Sequence, residues 1–222
     1  MRKKSAVLIG ATGLIGKELA KVLFQQNNYE KIHLLVRRSS GLHDPKCEEH
    51  IADFDRLDQH SHLFHGSDVF CCLGTTMKQA KTKEAFRKVD YVYPVEAGKL
   101  AEQFHSEQYL IVTALGSNPD SAIFYNRVKG EVEESIKKLR LPALHIFRPS
   151  LLLGERQQFR LGEKLMIKAA RVLNLFMVGK LRPYRAIEAK KVALAMAAIA
   201  KSNKSGAHVY PSDEIDRIAA ES

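Results

Sequence analysis

Val7-Leu8-Ile9-Gly10-Ala11-Thr12-Gly13-Leu14-Ile15-Gly16-Lys17-Glu18-Leu19 opens on an apolar run and passes three glycines spaced three apart. It then enters a pattern with Leu19, Val22 and Leu23 at helical spacing. The run predicts a strand, the glycines a tight turn, and the remainder the start of a helix. Without a Cβ, such a turn lets the backbone pass close under a pyrophosphate. Its amides and the positive end of the following helix then point at the negative charge. A strand directly before and a helix directly after are the context a dinucleotide fingerprint requires. On this reading Gly10, Thr12, Gly13, Leu14 and Ile15 line a pyrophosphate, partly through backbone amides.

Outward from this turn, strand and helix patterns alternate. Strands are expected over 6–9, 31–36, 49–52, 68–73, 108–113 and 143–147. Helices are expected over 14–26, 91–105, 124–139, 162–177 and 187–202, with an extended piece over 207–210. Alternation of this kind predicts an α/β fold, a doubly wound parallel sheet of Rossmann type, and ligands then bind outside the carboxyl ends of the strands. The whole chain, 1–222, reads as one NAD(P)-binding domain, with 150–185 as a small substrate-side lobe.

The end of the second strand decides the cofactor. An NAD-preferring site carries Asp or Glu there for the ribose hydroxyls. Here the residues are Arg37-Arg38-Ser39-Ser40, with no carboxylate before Asp44. Two guanidiniums and two hydroxyls suit a 2′-phosphate, because Arg presents planar, charge-assisted donors to phosphate oxygens. The expected cofactor is therefore NADP(H).

Tyr125 and Lys129 are four apart in a helical pattern and project from one face. Tyrosine, with a pKa of about 10, is a poor base at neutral pH. A nearby ammonium favours the phenolate and permits proton exchange with a carbonyl or an alcohol. The same lysine can hold the nicotinamide ribose.

These motifs, with Leu73-Gly74-Thr75-Thr76, Tyr125-Asn126-Arg127-Val128-Lys129-Gly130-Glu131 and Phe147-Arg148-Pro149-Ser150-Leu151-Leu152-Leu153-Gly154-Glu155-Arg156, carry a family resemblance. The G-x-x-G-x-x-G spacing resembles the extended and atypical short-chain dehydrogenase/reductases. The combination is similar to the atypical branch that contains the human Tat-interacting protein and its small bacterial relatives. The likeness runs from about residue 6 to about residue 162. It implies that Asp53, followed by Phe54, accepts from the adenine amino group. It also implies that Leu73, Gly74 and Thr75 pass under the nicotinamide-side ribose, and that Pro149, Leu152 and Arg160 lie near the cofactor or substrate. The chain departs from the family at two points. Ala114 falls where a serine would polarise the substrate oxygen, leaving that role to Thr113 or Ser117, and Asp90 stands where the family carries Asn.

Composition sets the remaining bounds. With 222 residues, 45% of them hydrophobic, the chain can bury one sizeable core. Met1-Arg2-Lys3-Lys4 and the apolar run after it imitate a signal peptide, but the glycines and Lys17-Glu18 break that pattern. No apolar segment reaches the length of a membrane span. Three cysteines, two of them adjacent, fit reduced thiols in a cytoplasmic protein rather than a disulfide framework.

The net charge of +10 concentrates in 137–204, which holds 16 basic and 3 acidic residues. That block is assigned to cofactor and substrate phosphates, because no nucleic-acid-binding motif accompanies it. Lys164, Lys168 and Arg171 edge the apolar run 165–178, which is expected to pack in the lobe or a homodimer interface and not on a membrane. His60-Ser61-His62-Leu63-Phe64-His65 lacks a carboxylate or cysteine at ligand spacing, and no metal is expected there.

The resulting expectation is an NADPH-dependent oxidoreductase acting on a small carbonyl or alcohol, with Tyr125 as acid/base and Lys129 as its partner. Two rivals remain: a non-catalytic NADPH-bound regulatory or scaffold protein, and a sugar-nucleotide epimerase or dehydratase. The short segment after Pro149 leaves little room for the larger substrate domain that the last reading needs.

Overall fold

The computed structural model describes residues 4–153 and 179–222. Seven parallel strands form one sheet in the order β3-β2-β1-β4-β5-β6-β9. They are β1 (Lys4–Ile9), β2 (Tyr29–Val36), β3 (Cys47–Ile51), β4 (Asp68–Cys71), β5 (Gln108–Val112), β6 (Ala143–Arg148) and β9 (Gly206–Pro211). A second, two-stranded parallel pair joins β7 (Leu152–Leu153) to β8 (Ile187–Glu188). The chain winds outward from β1 through β2 to β3, then returns to place β4 on the other side of β1. That reversal makes the carboxyl ends of β1 and β4 the switch point at which such sheets open a crevice.

The central strands are apolar on both faces, as a sheet covered by helices on both sides requires. One core contains Ala6, Leu8, Ile32, Leu34 and Phe70. Against it pack α1 (Leu14–Phe24), α6 (Ala189–Ser202) and residues of α7 (Ser212–Ala220), through Leu19, Leu23, Val192, Met196 and Ile215. The other core contains Val7, Ile9, Leu35, Val69 and Ile111. It is closed by α4 (Tyr93–Gln103), α5 (Phe124–Lys137) and a 3₁₀ segment, Phe54–Phe64.

Several elements differ from the sequence expectation. The helix expected over 91–105 begins much earlier: α3 (Lys83–Arg87) runs through a π-helical turn, Lys88–Val92, into α4. Thr82 starts it by accepting from the Ala85 amide at 3.1 Å, and Phe86, fully buried, is its apolar anchor. A polar stretch with a single anchor shows no periodicity to read. A short α2 (Met77–Ala80) precedes it, started in the same way by Thr76. Before β4, where the sequence pattern shows no element, the chain forms the 3₁₀ segment, with a backbone break at Arg56. The C-terminal α7, with Ile215 as its buried contact, was not foreseen either. The helix expected over 162–177 lies outside the described residues, as do most of the 150–185 lobe and Arg160, Lys164, Lys168 and Arg171.

Candidate active site

At the switch point, Gly10 adopts φ +90°, a backbone state that residues with a side chain rarely take. A Cβ there would lie 2.8 Å from the Cys72 carbonyl at the end of β4, so β1 and β4 close up only over a glycine. A Cβ on Gly16 would approach the Gly10 carbonyl oxygen to 2.2 Å, which fixes how closely α1 sits behind the turn. Gly13 is the N-cap of α1 and offers no side-chain cap, nor does any carboxylate occupy the first turn. Thr12 and Gly13 are exposed, Leu14 is half-buried and Ile15 is buried. The uncapped amides and helix dipole together form a cradle for an anion, and no side chain competes for it. The turn thus fits a dinucleotide pyrophosphate.

Arg37 and Arg38 follow β2 and are both exposed. The two serines beside them differ from expectation. Ser40 donates through its backbone amide (2.8 Å) and its hydroxyl (2.5 Å) to Glu49 of β3, and Ser39 accepts from the Gly41 amide. Hydrogen bonding from Ser40 holds the Glu49 carboxyl below its ordinary range. A carboxylate therefore does stand beside this loop, brought there by strand pairing and not by chain proximity. It occupies Ser40 and leaves the guanidiniums of Arg37 and Arg38 as the exposed cations of this loop.

Asp53 is exposed and caps the 3₁₀ segment, accepting from the Asp55 amide at 3.0 Å. Phe54, which follows it, buries its side chain in the core against Tyr93, ring centroids 5.5 Å apart, and leaves only its backbone to face a cofactor. Leu73 packs partly into that same core, while Gly74 is exposed. The Thr75 amide donates to Asp90 Oδ2 at 2.8 Å.

Asp90 sits within the π-helical turn, a distortion frequent at functional positions. Its Oδ1 lies 2.8 Å from Lys129 Nζ, and both side chains are buried. Burial opposes a charge on Lys129, but Asp90, aided by Tyr125, outweighs it and holds the ammonium pKa above its ordinary value. Tyr125, one turn earlier on α5, is 38% exposed and lies edge-on to Phe86 at 5.8 Å between ring centroids. The site therefore pairs an accessible phenol with a fixed internal cation.

Glu133 continues this face of α5 by a further turn and was missed in the sequence reading, although positions 125, 129 and 133 share one four-residue period. It is buried, accepts from Arg148 Nε at 3.0 Å and Nη2 at 2.5 Å, and accepts from the Thr113 hydroxyl at 2.7 Å. The Ser117 hydroxyl donates to the Ala114 carbonyl at 2.7 Å. Both hydroxyls proposed to polarise a substrate are thus buried, with their protons committed to the protein. Arg148 ties β6 to α5, and buried Pro149 accepts through its carbonyl from the Leu115 amide at 2.8 Å. Leu152 lies in β7, half-buried against the first core.

The family model for the NAD dependent epimerase/dehydratase family matches residues 6–118, the stretch that contains the glycine turn, the Thr75 loop and Asp90. This chain belongs to that family. Protein HTATIP2 of Rattus norvegicus is 36% identical over 172 residues, 76% of this chain and 71% of that protein. Protein FMP52, mitochondrial, of Debaryomyces hansenii is 34% identical over 158 residues, 69% of each chain. The fold is similar to UDP-N-acetylglucosamine 4-epimerase from Methanobrevibacter ruminantium in complex with UDP-N-acetylmuramic acid. There the TM-score is 0.69 at 14% identity, over 95% of this chain and 77% of that one. It is also similar to UDP-glucuronic acid 4-epimerase from Bacillus cereus in complex with NAD, with a TM-score of 0.68 at 12% identity over 93% and 76%. The family and the Rossmann fold of this chain are thus those of NAD(P)-binding proteins of the short-chain dehydrogenase/reductase type. No helix among its described residues is long and apolar enough to cross a membrane.

Proposed function

We propose that this chain is an NADP(H)-dependent oxidoreductase that interconverts a small carbonyl compound and its alcohol. The observation that carries the reading is the accessible Tyr125 phenol one helical turn from a buried Lys129 ammonium that Asp90 fixes at 2.8 Å. The nicotinamide, when bound, supplies or accepts a hydride. In the reducing direction Tyr125 gives its proton to the substrate oxygen, and in the oxidising direction it takes the proton back. Lys129 stabilises the phenolate left behind and offers donors to a ribose hydroxyl. Asp90 acts as a positioning residue, holding Lys129 and the Thr75 loop together. Gly10, Thr12, Gly13, Leu14 and Ile15 hold the pyrophosphate, and Arg37 and Arg38 hold the 2′-phosphate. Because the Thr113 and Ser117 hydroxyls already donate hydrogen bonds to Glu133 and to the Ala114 carbonyl, Tyr125 is the main donor to the substrate oxygen.

The three cysteines, none of them in a disulfide, support a reducing compartment, and we keep the cytoplasm as its location. The test is a panel of aldehydes and ketones offered with NADPH, followed by loss of the reduced nicotinamide absorbance. Turnover is expected, and Tyr125→Phe should lower it by about 10²–10⁴ while NADPH binding survives. Silence from the wild type over the whole panel, with NADPH bound, would replace this reading with the regulatory one.

A further inference from the structure

We propose that His33, Glu48 and His50 form a binding site for a divalent transition-metal cation of the zinc class, across the two outermost strands at the β3 edge of the sheet. Glu48 and His50 are two apart on β3 and share a face, and His33 of β2 pairs in register with Glu48. His33 Nδ1 lies 3.1 Å from His50 Nε2 and 3.3 Å from Glu48 Oε2. One ligand atom from each of the three residues lies within 4.8 Å of the other two. Tetrahedral coordination with bonds of about 2.0–2.1 Å puts ligand atoms about 3.3 Å apart, so the three already stand at that spacing on two of their edges.

Hydrogen bonding alone does not satisfy the cluster. With a proton on Nδ1, His33 can give it to Glu48 or to His50 but not to both, and without one it accepts from His50 and meets the Glu48 carboxylate lone pair to lone pair. Burial keeps His33 and His50 below the ordinary histidine pKa, and His60 adds to that on His50. Neutral imidazole is the form that ligates. A cation would satisfy the facing lone pairs together. Two imidazoles and one carboxylate favour zinc, cobalt or nickel over calcium or magnesium, which take oxygen donors.

The outer surroundings suit the assignment. Lys31 holds the other Glu48 oxygen at 2.6 Å, in the way that outer partners orient a ligating carboxylate. His60, on the 3₁₀ segment, lies edge-on to His50 at 5.9 Å, and His62 is near enough to act on both imidazoles. The remaining coordination position falls to water or to one of these two. β3 is an outer strand of the sheet, so the cation would clip it to β2 and stabilise an edge that has a partner on one side only.

Untagged, chelator-stripped full-length protein titrated calorimetrically with Zn²⁺ should bind one equivalent. With Co²⁺ it should show the intense visible bands of a tetrahedral site. Zn²⁺ should raise the melting temperature of the wild type. His50→Gln and Glu48→Gln, both at partly exposed edge positions, should each weaken binding by at least about tenfold and remove the thermal shift, and Lys31→Gln should weaken it less. His65→Gln should change nothing. Far-UV circular dichroism of each metal-free variant checks that it folds. Absence of stoichiometric binding by the wild type would overturn the proposal, as would Zn²⁺ binding unaltered by both edge substitutions or lost equally in His65→Gln.

Discussion

Lys129 Nζ stands 2.8 Å from Asp90 Oδ1, with 5% and 1% of the two side chains exposed. A buried ion pair of this kind does not guarantee stability against an apolar replacement, but breaking one half leaves an uncompensated charge in the interior. Asp90→Asn should therefore destabilise the fold by about 3–5 kcal/mol, read as a lower urea midpoint at unchanged slope. Adding Lys129→Met should recover a substantial part of that loss. If the single variant is as stable as the wild type, the pair is not the structural anchor described here.

Arg37 and Arg38 set the cofactor preference on the proposed reading. Titration calorimetry should show NADPH binding more tightly than NADH. Each Arg→Ala substitution should weaken NADPH binding by about tenfold or more and leave NADH nearly unchanged. Equal affinities of the wild type for the two cofactors would exclude a 2′-phosphate site at this loop.

Thr113 tests whether its hydroxyl serves the fold or the substrate. It donates to the buried Glu133, itself paired with Arg148. Thr113→Val should cost about 1–3 kcal/mol of stability and leave KM for a turned-over carbonyl little altered. A large loss of kcat at unchanged stability would restore Thr113 to the role of substrate donor.

His145 gives the fold a pH dependence of known sign. Burial, reinforced by the neighbouring His208, lowers its pKa to about 4. The unfolded chain takes up that proton below about 6.5, whereas the folded one resists until about 4, so stability falls as pH drops through this window. The difference amounts to about 3 kcal/mol at most, and the lowered values of His33 and His50 add with the same sign. Chemical denaturation at several values across the window should show the slope, and His145→Gln should reduce it. A slope identical in the variant would point to other groups as its source.

The amino-acid sequence by itself determined the glycine turn, the alternation that makes a parallel sheet, and the joint orientation of Tyr125 and Lys129. Each of these rests on backbone periodicity over a few residues, which local spacing encodes. It left illegible the helix that begins at Lys83, because a polar stretch held by Phe86 alone carries no period. Only the tertiary structure decided which charges meet. Strand pairing set Glu49 beside Ser40 and His33 beside Glu48, and sheet order carried Asp90 to Lys129 and Glu133 to Thr113 and Arg148. Residues far apart in the chain become partners through register and crossover, and neither is written in the spacing of a single segment. The same physics seats the Phe54 ring in the core against Tyr93, a burial that local spacing does not carry.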